Sequence, residues 1–489
     1  MASRPFRVSA EREGLRLTRQ MARNTMTAVR VSRRFGVASC ATAHRPEEPM
    51  SADSPTRRGF VKALAAGTAA SALAPTAKSY ARTLGASDRI GVGVVGVGRM
   101  ARGHLENLLQ EPDVEVRAVC DVYEPNLRKA ASMAAGAQTH ADFREVLDRK
   151  DIDAVVVATP DHWHAAQTVM ACAAGKDVYV EKPCSVGVRE GRKMVEAARR
   201  HARVVQVGTQ QRSAPHFRFA TQIVQDGQLG DVTFVRTWNY GNELPDGIGN
   251  PADAAPPPGL DWDMWLGPAR RRPFNENRFG VFLDADLEYQ RWSSFRWFWD
   301  YAGGMMTDWG VHLLDIVQWA MKVDCPESVT TAGGKLVLKD NRETPDTLQA
   351  TFRYPTFVCT YENREANGRP MDGHGYGIMF HGTKATMFLD RGGFQIFPEG
   401  DRNGVPLQAE SLPASHARHM RNFLDCVKSR SAPVSEMEIG HRSSSTAMLG
   451  NIAYRTGRQI LWDGKTETIR NDAEAAAMLD VAYREPWKL

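Results

Sequence analysis

Ile90-Gly91-Val92-Gly93-Val94-Val95-Gly96-Val97-Gly98-Arg99-Met100-Ala101-Arg102-Gly103-His104 is an apolar run that ends in glycines and then turns amphipathic. That is the pattern of a strand, a tight turn and a helix at the front of a dinucleotide-binding sheet. Gly96 permits the turn, Gly98 lets the backbone approach a pyrophosphate, and the small Ala101 lets helix and strand pack closely. The helix, opening at Arg99 and Met100, would aim its unpaired amides and the positive end of its dipole at the phosphates. A competing frame, Gly91-Val92-Gly93-Val94-Val95-Gly96, fits the glycine pattern more literally. It puts the turn inside the only residues able to form the strand and is set aside.

Downstream, Val114 to Cys120 reads as a second strand running into Asp121, 25 residues past Gly96. A carboxylate there accepts hydrogen bonds from ribose hydroxyls and repels a 2′-phosphate, which favours NAD over NADP; Arg128 on the next helix works against that preference. A weak strand near Gln138 to His140 precedes Ala154-Val155-Val156-Val157-Ala158-Thr159-Pro160, a buried parallel strand. Asp161-His162-Trp163-His164 then opens a helix to about Ala174. The strand Asp177 to Val180 ends in Glu181-Lys182-Pro183, and a helix over 187–201 and a strand from Val204 to Val207 complete six strands alternating with helices. This is a doubly wound parallel α/β sheet, and Lys182, at the carboxyl end of a strand, points into its ligand crevice, where it can donate to a substrate oxygen or take part in proton transfer. His162 and His164 stand two apart on different faces of a helical turn with no third ligand evident, so no metal site is expected.

After Pro215 the chain carries a helix to about Asp226, a strand from Val232 to Trp238 and an irregular stretch, 241–290, rich in Pro, Gly, Asp and Asn. So long a loop is functional or wraps a partner subunit. Seven of the eleven tryptophans lie between Trp238 and Trp309: those two with Trp262, Trp265, Trp292, Trp297 and Trp299. Most are expected to anchor the loop, and one or two to stack on a sugar ring, with Arg291, Arg296 and Asp300 as ion-paired scaffolding. In Gly303 to Trp319 a helix opens near Thr307; Asp308 and His312 stand four apart and share a face, with Asp315 three further on. A carboxylate beside an imidazole orients it and raises its basicity. The remaining strands alternate with period two, as in an open antiparallel sheet with one face covered. Helices over 415–429 and 436–455 and a tail to Leu489, bracing the first domain, follow.

The formal charge of +5 suggests a basic protein, but residues 1–49 hold ten Arg against four Glu, and 50–81 four basic residues against one Asp. Taking those +6 and +3 from the total leaves −4 for 82–489, which excludes a polyanion-binding surface and any nucleic-acid partner. Thr56-Arg57-Arg58-Gly59-Phe60-Val61-Lys62, an apolar run from Ala63 to Ala74 and a small-residue exit near Ser79-Tyr80-Ala81 resemble a twin-arginine export signal over 50–81, with 1–49 an upstream extension. The run is too short to span a membrane. Beyond Cys40 the six cysteines are scattered and read as small buried hydrophobes.

Thr159-Pro160 with His164, then Glu181-Lys182-Pro183, then Gln206-Val207-Gly208-Thr209-Gln210-Gln211-Arg212 resemble, in order and spacing, the Gfo/Idh/MocA oxidoreductase family, which includes glucose-fructose oxidoreductase and inositol dehydrogenase. The resemblance covers roughly residues 88–465. It implies an NAD-binding Rossmann domain over 88–212, an α+β substrate and oligomerisation domain over 213–465 with a large open, mostly antiparallel sheet, and a tail over 466–489. It implies that Gly96, Gly98, Arg99, Met100, Asp121, Thr159, Pro160, His164, Glu181 and Gln210 hold the cofactor, and that Trp163 and Arg212 meet substrate beside Lys182. Asp308 and His312 then form an acid/base pair opposite Lys182: His312, assisted by Asp308, removes a hydroxyl proton of a sugar, glycoside or polyol while Lys182 holds the same oxygen. The open sheet face would form a homodimer or homotetramer. Export to the periplasm, where free nicotinamide nucleotide is absent, implies a resident NAD. The alternatives are an NAD-dependent glycoside hydrolase or lyase working through a transient keto-sugar, and a non-catalytic cofactor-binding regulator.

Overall fold

Six parallel strands in the order β3-β2-β1-β4-β5-β6 form the first sheet of the computed structural model. The structure describes residues 89–489 apart from 283–288, 292–293, 401–404, 409–411 and 471. The expected extension (1–49), the export signal (50–81) and Trp292 lie outside the described residues. No helix among the described residues is long and apolar enough to cross a membrane.

The strands are β1 (Ile90–Val95), β2 (Val114–Cys120), β3 (Gln138–His140), β4 (Ala154–Val157), β5 (Asp177–Val180) and β6 (Val205–Val207). Between them run α1 (Arg99–Gln110), α2 (Glu124–Met133), α3 (Phe143–Asp148), α4 (Asp161–Ala173) and α5 (Val188–Arg200). β1 and β4 are apolar throughout because both of their faces are covered. In β4, Ala154 and Val156 pack with Leu105 and Leu108 of α1, while Val155 and Val157 pack with Val146 of α3 and Ala166 of α4. All of β1 is buried, so the glycines Gly91 and Gly93 belong to the strand and the turn begins at Gly96.

The chain then forms α6 (Pro215–Gln225) and β7 (Val232–Tyr240). The long connection carries the short helices α7 (Trp262–Leu266) and α8 (Glu276–Phe279) and a two-stranded ribbon, β8 (Val281–Phe282) and β9 (Tyr289–Arg291). A π-helical turn, Met306–Gly310, leads into α9 (Val311–Met321). Strands β10 (Ser328–Gly334), β11 (Thr347–Arg353), β12 (Val358–Arg364), β13 (Tyr376–Gly382), β14 (Ala385–Asp390), β15 (Gly393–Pro398) and β16 (Val405–Gln408) follow, then α10 (Leu412–Ser429), α11 (Met437–Thr456), β17 (Ile460–Asp463), β18 (Thr468–Ile469) and α12 (Ala473–Ala477). The second sheet has ten strands, β16-β15-β14-β13-β7-β12-β11-β10-β17-β18, all antiparallel neighbours except the parallel pair β7 and β12. Its strands alternate as expected: Leu348, Ala350 and Phe352 of β11 join a core shared with α6, α9 and α11, and Gln349 and Arg353 face outward.

One difference concerns where the first layer gets its helices. The sequence pattern assigns 415–429 to the second domain, but Met420, Phe423 and Leu424 of α10 lie in one core with Val92, Val94, Val156 and Tyr179 of the first sheet. Val207 also donates to the carbonyl of Ser435, so the returning chain extends that sheet's edge. The physical reason is that α10 adds an apolar stripe to those of α1 and α2 on that face. The tail does brace the first layer: the Tyr483 hydroxyl donates to Glu190 Oε1 (2.5 Å), and the Trp487 ring lies 4.7 Å from Trp163.

Candidate active site

The strand order reverses between β1 and β4, and at that point Gly96 meets Thr159. Gly96 has φ +79°, and a Cβ there would fall 2.7 Å from the Thr159 amide nitrogen. Only glycine fits both the left-handed turn and the close approach. Crevices at such reversals, outside the carboxyl ends of the strands, are where this class of sheet binds ligands. A cleft with about 1200 Å³ of empty space opens here, and Gly96, Gly98, Arg99, Met100, Asp121, Thr159, Pro160, Trp163, His164, Glu181, Lys182 and Asp308 all line it.

At the turn end, Gly98 precedes α1 with no side-chain cap, leaving the first amides of a twelve-residue helix facing the cleft. Asp121 closes β2. Its Oδ2 accepts from the Val97 amide (2.8 Å) and its Oδ1 from the Tyr123 amide (2.9 Å), so the carboxylate is fixed beside the turn. Burial pushes its carboxyl up to about 6, against those amide bonds. The residues fit a dinucleotide: an uncapped helix start for phosphate, a cradle that a Cβ at Gly96 would fill, and a fixed carboxylate for a ribose.

At the other end stands Lys182. Its Nζ donates to Asp308 Oδ1 (2.6 Å) and to the Asp308 carbonyl (3.2 Å), joining the turn after β5 to the π-helical turn. Arg296 lies 3.3 Å from the same carboxylate oxygen. Burial would raise the Asp308 carboxyl, but Arg296 and Lys182 outweigh it and hold it at about 2. Glu181 turns the other way and accepts from His104 Nε2 (2.8 Å); burial opposes its ionisation, and His104 with Lys182 brings it down to about 2. His164 sits between two carbonyl oxygens, Pro183 (2.7 Å from Nδ1) and Thr159 (2.8 Å from Nε2), and so fixes the end of β4 to the turn that carries Lys182. His162 faces the Trp265 carbonyl (3.0 Å), and burial lowers it to about 4.

Four expectations need correction. Asp308 does not orient His312: its carboxylate is engaged by Lys182 and Arg296, and Nδ1 of His312 has no hydrogen-bond partner among the described residues. The cause is the π-helical turn, which breaks the four-residue spacing expected of an α-helix. Nor is the imidazole made more basic. Burial first, then Lys182, Arg391, His416 and His419, hold it well below the usual histidine range.

Arg212 does not meet the cleft either. Its Nε donates to both Asp315 oxygens (3.0 and 2.8 Å) and its guanidinium lies over Trp319, so it ties the segment after β6 to α9. Asp315, wholly buried, also accepts from Ser443 of α11 (2.6 Å). Gln210 likewise turns to His416 (3.2 Å) and lies outside the cleft lining.

Two cleft residues were missed. Asp161, inside the Thr159-to-His164 motif, lines the cleft next to Lys182, and Arg296 was read only as scaffolding. The signal for Asp161 was its place directly after a strand end; Arg296 arrives through a long irregular connection and had none. Of the tryptophans in 238–309 whose side chains are described, Trp265 alone lines the cleft. Trp262, Trp265 and Trp297 form a separate aromatic core with Phe298 and Tyr301, the anchoring expected of most of them.

The long connection also returns to the nucleotide end. Glu124 donates its amide to the Gly259 carbonyl (2.8 Å) and Asp261 to that of Val122 (3.0 Å), so the chain crosses the β2–α2 turn. Met264, Trp265 and Phe279 then form a wall of the cleft.

Residues 90–209 match an oxidoreductase family described by its NAD-binding Rossmann fold, and 238–489 match the C-terminal alpha/beta domain of the same family. The inositol 2-dehydrogenase of Rubrobacter xylanophilus is 34% identical over 168 residues, 34% of this chain and 48% of that protein. The myo-inositol 2-dehydrogenase of Thermotoga maritima is 24% identical over 358 residues, 71% of this chain and 91% of that one. In several of the curated relatives the match spans about half the relative's length. Among solved structures, levoglucosan dehydrogenase in complex with NADH and levoglucosan shares the fold, with a TM-score of 0.58 at 15% identity over 76% of this chain and 99% of that one. With both halves matched, the chain belongs to the Gfo/Idh/MocA oxidoreductase family.

Proposed function

We propose that the protein oxidises a CH–OH group of a sugar, glycoside or polyol with a tightly held NAD. The observation that carries this reading is Lys182, fixed by Asp308 at one end of the cleft whose other end is the Gly96 turn and Asp121. A bound nicotinamide would supply the hydride acceptor. The chain's own residues do the rest. Lys182 donates to the substrate oxygen and stabilises the charge that develops on it. Asp308 keeps that ammonium aimed, and Arg296 adds a second cation on the same carboxylate oxygen. Asp121 accepts from the ribose and disfavours a 2′-phosphate, which selects NAD over NADP.

The connection bonded across Val122 and Glu124 supports a resident nucleotide, since release would require those bonds to part. Residence in turn suits the export and periplasmic location inferred from the twin-arginine stretch, where no nucleotide pool replenishes a lost cofactor. The sheet face opposite α6, α9 and α11 is where a second copy would dock as a homodimer or homotetramer.

The test is to purify the protein without added cofactor and incubate it with a panel of sugars, polyols and glycosides, following nucleotide absorbance and carbonyl products. Nucleotide in the purified protein and its reduction by one class of the panel are expected. Aglycone release with no net reduction would move the reading to redox-neutral glycoside cleavage. Neither nucleotide nor turnover would sink it.

A further inference from the structure

Residues 483–489 grip the wall of the cleft at two places. At one, Arg484 is clamped to α7 and the turn that follows it. Its amide donates to the Pro268 carbonyl (2.9 Å), its Nε to the Gly267 carbonyl (3.1 Å), its Nη2 to the Asp263 carbonyl (2.9 Å) and its Nη1 to the Asp263 carboxylate (2.8 Å). At the other, the Trp487 ring meets Trp163 edge-on at 4.7 Å and lies 6.2 Å from Phe143. Trp163 and Phe143 both line the cleft, as do Met264 and Trp265 of α7. Tyr483, bonded to Glu190 of α5, fixes the same segment to the first layer.

The two places belong to one wall. Trp163 Nε1 donates to the Trp265 carbonyl (3.0 Å), and the Phe143 ring meets Trp163 edge-on at 5.4 Å. The turn after α7 lies directly on the indole: Gly267 has φ +47°, and a Cβ there would fall 2.0 Å from the Trp163 ring. With five residues, α7 is too short to hold its shape alone, so the place of Met264 and Trp265 is set by what the helix is fastened to. Arg484 does that fastening with a planar fork that reaches two carbonyls and a carboxylate together.

We infer that residues 483–489 position the wall of the nucleotide cleft, with Arg484 and Trp487 as positioning residues that act through Trp265 and Trp163. The inference rests on the reading of this cleft as a nicotinamide nucleotide site. Neither Arg484 nor Trp487 lines the cleft, so neither has to touch the nucleotide. They raise the fraction of molecules in which both tryptophans stand ready for it, and apparent affinity scales with that fraction. Lys182 and Asp308 are joined to each other by other turns, so the reactive end does not depend on this segment.

The test uses the full chain as wild type, Trp487→Ala, Trp487→Phe, Arg484→Met and Arg484→Lys, with radiolabelled NAD as the probe in equilibrium dialysis. Cutting the ready fraction to a tenth weakens binding about tenfold, and Trp487→Ala and Arg484→Met should lose at least that much. Trp487→Phe should keep most of the affinity, and Arg484→Lys should fall between, since one ammonium cannot replace the fork. Amide hydrogen exchange should rise over 161–164 and 262–268 and stay unchanged in β1 and β4. In turnover, KM for NAD should rise while kcat holds. Wild-type affinity in both Trp487→Ala and Arg484→Met overturns the inference. So does faster exchange through the whole first sheet with no rescue by Trp487→Phe, which would make the segment a general support and nothing more. A wild type that binds no nicotinamide nucleotide overturns the reading of the cleft and this inference together, whereas one that binds NAD and oxidises no member of the panel leaves the role of the segment standing.

Discussion

Lys182 Nζ and Asp308 Oδ1 lie 2.6 Å apart, a pair formed by residues 126 positions distant and brought together by two turns from different layers. The pair does two things: it aims the ammonium, and its carboxylate sets the field at Asp161. We expect Lys182→Met to keep nucleotide binding and lose about 10²–10⁴-fold in turnover, since a donor to the reacting oxygen is gone. Asp308→Asn has a second signature. Removing its negative charge leaves Lys182 and Arg296 to act on Asp161, so the Asp161 carboxyl falls, and its infrared carboxyl band should titrate at lower pH than in the wild type. An unchanged midpoint would show that the two carboxylates do not sense each other.

Arg212 and Asp315 form a buried ion pair, 8% and 0% exposed. Removing one partner leaves the other charge uncompensated in the core, so Arg212→Met should cost about 3–5 kcal/mol of stability. Adding Asp315→Leu should recover a large part of that loss. Urea unfolding of the wild type and the two variants measures both. A variant that remains as stable as wild type but loses substrate affinity would return Arg212 to the substrate site.

The parallel sheet was legible because strands buried on both faces are apolar at every position, as β1 and β4 are, and as β5 is after Asp177. The turn chemistry at Gly96 and the lysine after β5 were legible for the same reason: position relative to a strand end fixes what such residues can reach. The Asp308–His312 pair was misread because a π-helical turn and an α-helical one have the same composition, and the difference comes from packing against other elements. Arg212 and Arg296 exchanged roles because the partner of a long cation is a tertiary fact. The placement of α10 on the first sheet escaped for a related reason: its apolar stripe fits any covered face, and chain order favoured the nearer one.

Asp121 carries a testable pH dependence. Its carboxyl stands at about 6, and the ribose hydroxyls need the ionised form as acceptor. Binding therefore favours the carboxylate: affinity for NAD should be full above about pH 6 and fall as the pH drops through it, by up to about tenfold per unit. Asp121→Asn should flatten that dependence and cost about 1–2 kcal/mol of affinity at neutral pH. Isothermal titration at three pH values decides it, and a wild-type affinity that is flat from pH 5 to 8 would remove Asp121 from the ribose.

The connection over the β2–α2 turn makes a kinetic claim. Its amide bonds at Val122 and Glu124 fasten it beside the nucleotide end of the cleft, where Trp265 forms part of the wall. Trp265 stacks on Trp262 at 4.6 Å and meets Tyr301 edge-on at 4.9 Å, so it is the ring through which the connection is anchored to its aromatic core. Trp265→Ala removes both contacts and leaves a cavity, which should cost about 3–5 kcal/mol locally. Because that loss falls on the fastened connection, the dissociation rate of NAD should rise by about 10²-fold or more while the association rate changes little. Stopped-flow displacement of bound nucleotide measures it. An unchanged rate would mean that the connection is only a wall, and that residence of the cofactor has another cause.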